Sequence, residues 1–232
     1  MSQYMLPHHV FVCHEGEHVV FLDVQQDRYF ALERGLFRGL DKLVRGWPAI
    51  GGPGDPRPDL VRLLLSKGLL VPGDRAGKAA APISCAEPVD ELTAESWGES
   101  VRIRPIHVIH FCRAVLAAKL SLRLCRFQTT VRRATKDVAR RARRVRLDIR
   151  CIHELVAIFA WLRPFLFTSK DACLFEALAL RTFLARFGVH ASWVFGVQAK
   201  PFLAHCWLQY ENCVLNDGVG RVRRYTPIMC IE

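Results

Sequence analysis

The sequence has no C-x-x-C pair, although it holds nine cysteines, at positions 13, 85, 112, 125, 151, 173, 206, 213 and 230. An odd count without paired spacing argues against a disulfide framework, so the thiols read as reduced, most of them small buried hydrophobes. His190, Cys206, Cys213 and Cys230, and likewise His8, His9, Cys13, His14 and His18, lack the short ligand pairs of a structural zinc motif, and no metal is expected. Also absent is the uninterrupted run of roughly 20 apolar residues that a membrane span needs. Arg113, Lys119 and Arg123 break the apolar stretch 105–124, and His153, Glu154 and Arg163 break 151–167. No basic region followed by an apolar run and a small-residue cleavage site opens the chain. The expectation is a cytoplasmic protein without a membrane partner.

What is present is a chain of 232 residues, 51% of them hydrophobic, enough to bury the core of one large or two small domains. Its formal charge of +11 is unevenly spread. Residues 1–80 carry ten Lys/Arg against nine Asp/Glu, 81–101 none against five, 102–150 fifteen against two, and 151–232 eight against six. Nearly all of the excess sits in one central stretch.

Three β-rich runs, 10–13, 19–24 and 29–32, are separated by polar breaks of hairpin length, which predicts a three-stranded meander. Leu36, Leu40, Leu43 and Val44 recur at helical spacing; residues 48–58 are rich in Pro and Gly; Leu60, Leu63 and Leu64 open a second helix stopped by Gly68. Sheet plus helices predicts a winged-helix-like module over 1–72. Residues 73–101, rich in Gly, Ala, Pro and acidic side chains, read as an exposed linker, leaving 102–232 as a second domain. There Phe111, Val115, Ala118 and Leu122, then Val131, Ala134, Val138, Ala142 and Val145, keep a helical period with arginines between them. That predicts one long or broken amphipathic helix with a basic outer face. Such a face is solvated or docks an acidic partner; little aromatic interleaving makes nucleic acid the lesser reading. The final third predicts a helix over 173–187 stopped by Gly188, then strands over 192–197, 204–210 and 213–216. The fold class is α+β.

A cysteine nucleophile acts as the thiolate, and a helix N-terminus favours that form through its unpaired N–H groups and positive dipole end. Cys173 follows Thr168, Ser169 and Asp171, all residue types that cap helices, and precedes the apolar run 174–184. It reads either as a nucleophile or as a buried thiol in a core helix. A base, and a group to hold that base, must come from neighbouring elements, and His205 and Asp217 fit. If Tyr210, Glu211 and Asn212 form a three-residue hairpin loop, Gln209 pairs with Cys213, and His205 falls opposite Asp217 on one face. A two-residue loop shifts the register and puts them on opposite faces. Asn216-Asp217-Gly218 is also good turn sequence in its own right.

The stretch 172–228 carries Cys173-Leu174, Ala177-Leu178-Ala179-Leu180, Phe187-Gly188-Val189, Phe195-Gly196-Val197, Pro201-Phe202, Ala204-His205-Cys206-Trp207, Leu215-Asn216-Asp217 and Tyr225-Thr226-Pro227-Ile228. In these motifs it resembles the transglutaminase-like cysteine peptidases that process lasso-peptide precursors. The resemblance implies Cys173 as nucleophile, His205 as general base and acid, and Asp217 as the residue that orients it. Glu176 and Ala177 stand where the family often has Arg and Ser, a departure that bears on helix packing or substrate contact rather than on these three roles.

The segment Asp27-Arg28-Tyr29-Phe30-Ala31-Leu32 is similar to the third strand of the PqqD-like leader-recognition module that lasso maturation proteins fuse to this peptidase. Strand addition would lay a leader along Tyr29, Phe30, Ala31 and Leu32, with side-chain pockets toward Leu60, Leu63, Leu64 and Lys67. The resemblance thus implies a winged-helix-like module followed by a papain/transglutaminase-like domain with an N-terminal helical region. It implies an endopeptidase that removes the leader from a ribosomally made precursor, without a cofactor. Its partners would be that precursor and an ATP-dependent, asparagine-synthetase-like lasso cyclase. The competing reading is a non-catalytic leader-binding or nucleic-acid-binding winged-helix protein with a basic helix.

Overall fold

Apolar runs near the start of the chain pair as an antiparallel meander in the computed structural model, which describes residues 4–33, 35–37, 39–47, 55, 57–92, 97, 100–140, 148–166 and 173–232, the side chains of 137–140 excepted. After β1 (Tyr4–Met5) come β2 (Val10–Glu15), β3 (His18–Asp23) and β4 (Arg28–Glu33), in the order β2-β3-β4. The β2–β3 loop is tighter than the sequence suggested, because Gly16, at φ 55, allows Glu15 to pair directly with His18. At the next turn Asp23 Oδ1 accepts the N–H groups of Gln25 and Gln26 at 2.8 and 3.0 Å. Among the described residues of the helical period 36–44, only α1 (Leu40–Leu43) is helical; α2 (Pro58–Ser66) begins with Pro at its first position and gives way to Gly68 at φ 68. β5 (Val71–Pro72) returns to pair with β1, a contact too short to show as an apolar period.

These elements belong to one compact unit, Met1–Ser84 with Gly196–Ala204 and Thr226–Met229. Its core holds Val10, Val12, Val19, Phe21 and Leu32 from the meander against Leu40, Leu60 and Leu64 from the helices. Val20 and Leu22 are fully buried as well, so β3 is covered on both faces, as a continuous apolar strand requires.

The other unit comprises Cys85–Phe195, His205–Tyr225 and Cys230–Glu232. Its chain starts with β6 (Asp90–Glu91) and continues with α3 (Pro105–Leu124), α4 (Phe127–Arg140), α5 (Ile149–Leu162) and α6 (Cys173–Ala185). The predicted basic helix is two helices, broken where Cys125 turns extended at ψ 145. Its predicted continuation through Ala142 and Val145 lies outside the described residues. α6 buries Ala177, Leu178, Ala179, Leu180, Phe183 and Leu184, and none of its residues is exposed, so apolar side chains cover most of its circumference. α3 lies against it through Phe111, Ala114 and Ala118, the two alanines one turn apart permitting close approach. Rings of Phe111, Phe159, Phe183 and Phe187 follow one another at 5.2, 5.7 and 5.1 Å between centroids. By length and composition, α3 is apolar and long enough to cross a bilayer.

β7 (Ser192–Gln198), β8 (Leu203–Tyr210), β9 (Cys213–Val214), α7 (Val219–Val222) and β10 (Thr226–Ile231) complete the chain. The sheet runs β10-β7-β8-β9-β6, with β6 parallel to β9. Residues 85–92, which composition reads as exposed connection, thus supply its edge. Val89 and Asp90 donate to the Asn212 carbonyl at 2.9 and 3.3 Å, and Leu92 donates to Val214 at 2.8 Å. Backbone pairing of this kind needs no apolar pattern and leaves no trace in composition.

Candidate active site

Cys173 is the first residue of α6 and sits half-buried beside β8. The three candidate caps, Thr168, Ser169 and Asp171, lie outside the described residues. What acts on the sulfur comes from the strand: hydrogen bonds from the Cys206 thiol and from His205, with a further one from the Cys206 backbone N–H. Together they hold the Cys173 pKa down at about 4 against the opposing effect of burial, so the sulfur is a thiolate at neutral pH.

His205 is 8% exposed. Its Nε2 meets Asp217 Oδ2 at 2.5 Å, leaving Nδ1 for the sulfur. Burial alone would push the imidazole pKa down; the hydrogen bonds to Asp217 and Cys173 and the attraction of both anions overcome it and raise it to about 9. The ring neighbours two aromatics, stacked on Trp207 at 6.2 Å and tilted against Tyr225 at 5.2 Å between centroids. At neutral pH the result is a thiolate–imidazolium pair that needs no base from solvent.

The route by which Asp217 arrives corrects the sequence reading. Tyr210 pairs with Cys213 and Gln209 with Val214, so the loop is the two residues Glu211 and Asn212, with Glu211 at φ 54. That register would carry Asp217 to the face opposite His205 if the ladder continued. It does not continue. β9 ends at Val214, Leu215 makes one more bond to Leu208 at 2.9 Å, and Asn216 Oδ1 takes the Leu208 N–H at 2.8 Å. The chain then turns at Asn216-Asp217-Gly218, and the aspartate swings back onto His205.

Two further contacts fix Asp217, and a third holds the chain just after it. Its Oδ1 accepts the Gly218 N–H at 2.8 Å, and Arg221, one turn on, lies 3.7 Å from Oδ2. Glu91 on the edge strand accepts the Val219 N–H at 2.6 Å, tying the start of α7 to β6. Burial opposes ionisation of Asp217, but the bonds from His205 and Gly218 and the nearby cations keep its pKa below the usual value.

Cys206 and Glu91 are two side chains of the candidate site that sequence reasoning missed. Cys206 is 2% exposed, and its thiol, hydrogen-bonded to Cys173 and buried, has its own pKa pushed well up, so it remains a donor. Its only signal was adjacency to His205; Glu91 had none.

Beside Asp217 opens a pocket of about 250 Å³ lined by Val156, Phe159, Leu180, Leu215, Arg163 and Glu176 among others. Arg163 Nη1 donates to Glu176 Oε1 at 2.6 Å across it. Ala177, the other residue at which the chain departs from the resemblance, is fully buried in the helix core. Among the described residues no group of three His, Cys, Asp or Glu side chains is arranged to hold a metal.

The residues expected to bind a leader lie in the other unit. Leu32, Leu60 and Leu64 are buried in its core, and Phe30 packs against that core with Lys67 Nζ 5.6 Å from its ring. Tyr29 and Ala31 occupy the opposite face of β4, and Leu63 is 41% exposed. Within that unit the Tyr29 ring meets Phe202 at 5.4 Å, and Glu15 accepts the Ala199 N–H at 2.9 Å.

A family model described as the transglutaminase-like superfamily matches residues 112–230, which span α4 to β10, most of α3 and the residues Cys173, His205 and Asp217. No curated protein and no solved structure matches the chain.

Proposed function

Because the chain belongs to the transglutaminase-like superfamily, we propose that it is a cysteine endopeptidase acting on a ribosomally made precursor peptide in the cytoplasm, removing its leader in lasso-peptide maturation. The observation that carries the reading is the hydrogen-bonded chain Cys173–His205–Asp217, with the sulfur already ionised. The Cys173 thiolate attacks the carbonyl carbon at the end of the leader, forming a C–S bond and a tetrahedral oxyanion. The imidazolium of His205 gives its proton to the departing nitrogen, the C–N bond breaks, and the core peptide leaves with a free amine. Water, deprotonated by the now neutral His205, then attacks the thioester; the C–S bond breaks and the thiolate returns. Asp217 holds the ring and stabilises its charged form throughout. A backbone N–H at the start of α6 is the natural donor to the oxyanion.

The substrate class comes from the resemblance in motifs. The N-terminal unit is proposed as a winged-helix-like leader-recognition module, which takes up the leader by strand addition at β4, the last strand in the sheet order β2-β3-β4. The freed amine would pass to an ATP-dependent, asparagine-synthetase-like cyclase. Incubating the full chain with a precursor and following it by mass spectrometry tests the reading. Wild type should release the leader, and Cys173→Ala should bind the precursor with unchanged affinity while leaving it intact. Cleavage by Cys173→Ala would refute the nucleophile assignment.

A further inference from the structure

A helix made mostly of apolar residues is normally enclosed on most of its faces. α3 is not. Its inner face is covered through Phe111, Ala114 and Ala118, yet on the outer face Ile109, Leu116, Leu120 and Leu124 are 51, 56, 46 and 77% exposed. Residues three or four apart share a helix face, so these aliphatics form one row along most of the helix, about 30 Å in length. Arg113, Lys119 and Arg123, all exposed, stand beside and within the row. From Arg102 to Lys136 the chain has nine Lys/Arg and no Asp/Glu, so no acidic neighbour in this stretch offsets them.

We propose that the outer face of α3 lies in the headgroup layer of an anionic lipid bilayer, its aliphatic row in the acyl boundary and Arg113, Lys119 and Arg123 on lipid phosphates. The charge selects the occupant. A second copy of this chain would bring the same cations against these. A folded protein partner would bury Arg123 amid the leucines, where interface cores are depleted of charge. A nucleic acid would satisfy the cations but leave the aliphatic row in water. A lipid interface serves both sets at once, because long basic side chains reach up to phosphate while their stems and the leucines stay in the apolar layer. The packed inner face keeps the helix from leaving the domain, so it lies along the surface rather than crossing it. The missing uninterrupted span, which led the sequence reading to expect no membrane partner, is no obstacle to this mode, and the proposal is independent of the peptidase reading.

The test is co-sedimentation of the full chain at low salt with vesicles of phosphatidylcholine alone and of phosphatidylcholine with equimolar phosphatidylglycerol. The expected partition onto the anionic vesicles is more than about tenfold greater, and Arg113→Gln/Lys119→Gln/Arg123→Gln lowers it about a hundredfold. Leu116→Gln/Leu120→Gln, which keeps good helix formers at two exposed positions, lowers it about tenfold or more. Circular dichroism and Cys173 alkylation should be those of wild type in both variants. Failure to pellet with either vesicle overturns the proposal. So does pelleting that the leucine variant leaves unchanged, and so does duplex DNA retention that depends on the three cations when vesicle binding does not.

Discussion

At Cys173 two neighbours share the work of ionising one sulfur, and each can be removed separately. Iodoacetamide alkylation mapped by mass spectrometry should show Cys173 reacting from near pH 4 upward, whereas an ordinary thiol waits for about pH 8.5. His205→Ala should abolish that early reactivity. Cys85, whose pKa is also lowered, by a hydrogen bond with Cys230, serves as an internal control that His205→Ala leaves unchanged. Cys206→Ala removes a thiol donor to an anion; at about 1.5–3 kcal/mol for such a bond, the midpoint of the Cys173 profile should rise by about one pH unit or more. Cys206→Ser, which retains a donor, should move it less. An unmoved midpoint in Cys206→Ala would show that His205 alone holds the thiolate. The same pair sets the pH profile expected of the proposed peptide cleavage. The rate climbs as Cys173 loses its proton through about pH 4, and falls as His205 loses through about pH 9 the proton it must hand to the leaving amine.

Among the elements, a two-residue strand decides where the aspartate stands. β6 contributes almost nothing to a hydrophobic core, yet its Glu91 holds the Val219 N–H, and through α7 the turn that carries Asp217. Glu91→Ala should lower stability by about 1–3 kcal/mol in urea denaturation. It should also lower the cleavage rate with little change in leader affinity, and Glu91→Gln, which keeps an acceptor, should restore most of both. Loss of stability at an unchanged rate would mean that Asp217 is held by Gly218 and Arg221 alone. Element types were readable in the meander, α2, α6, β7 and β8, where an apolar pattern runs for several residues, but α5 and β10, which carry such runs too, were not predicted. Where an element is two residues long, as β1, β5 and β6 are, backbone bonds make it, and side-chain periodicity has nothing to report.

For the whole molecule, two compact units would keep the proposed leader recognition and the proposed peptide cleavage on different side chains. Tyr29→Ala and Leu63→Ser change exposed or half-exposed positions of the N-terminal unit, so they should weaken leader binding, measured by fluorescence anisotropy of a labelled leader, and raise KM. The pH profile of Cys173 alkylation should stay that of wild type. Leu32, Leu60 and Leu64 are poor probes of the same groove: they are buried in the core, where truncation to Ala costs about 2–5 kcal/mol and confuses binding with folding. Unchanged leader affinity in the two surface variants would move the recognition site off β4 and α2.

By itself the sequence determined which chemistry this protein can carry: a cysteine opening an apolar helix, a histidine on a strand, an aspartate in a turn, all in one stretch of chain. Those are local properties, set by residue type and by neighbours a few positions away. Only the tertiary structure decided that the three meet, that Cys206 is hydrogen-bonded to the same sulfur, and that Glu91 anchors the turn from 126 residues before Asp217. The hairpin shows the reason. Its two-residue loop has the register that should separate His205 from Asp217, and the outcome turns on where the ladder stops. That point depends on backbone bonds made across the sheet, between residues far apart in the chain.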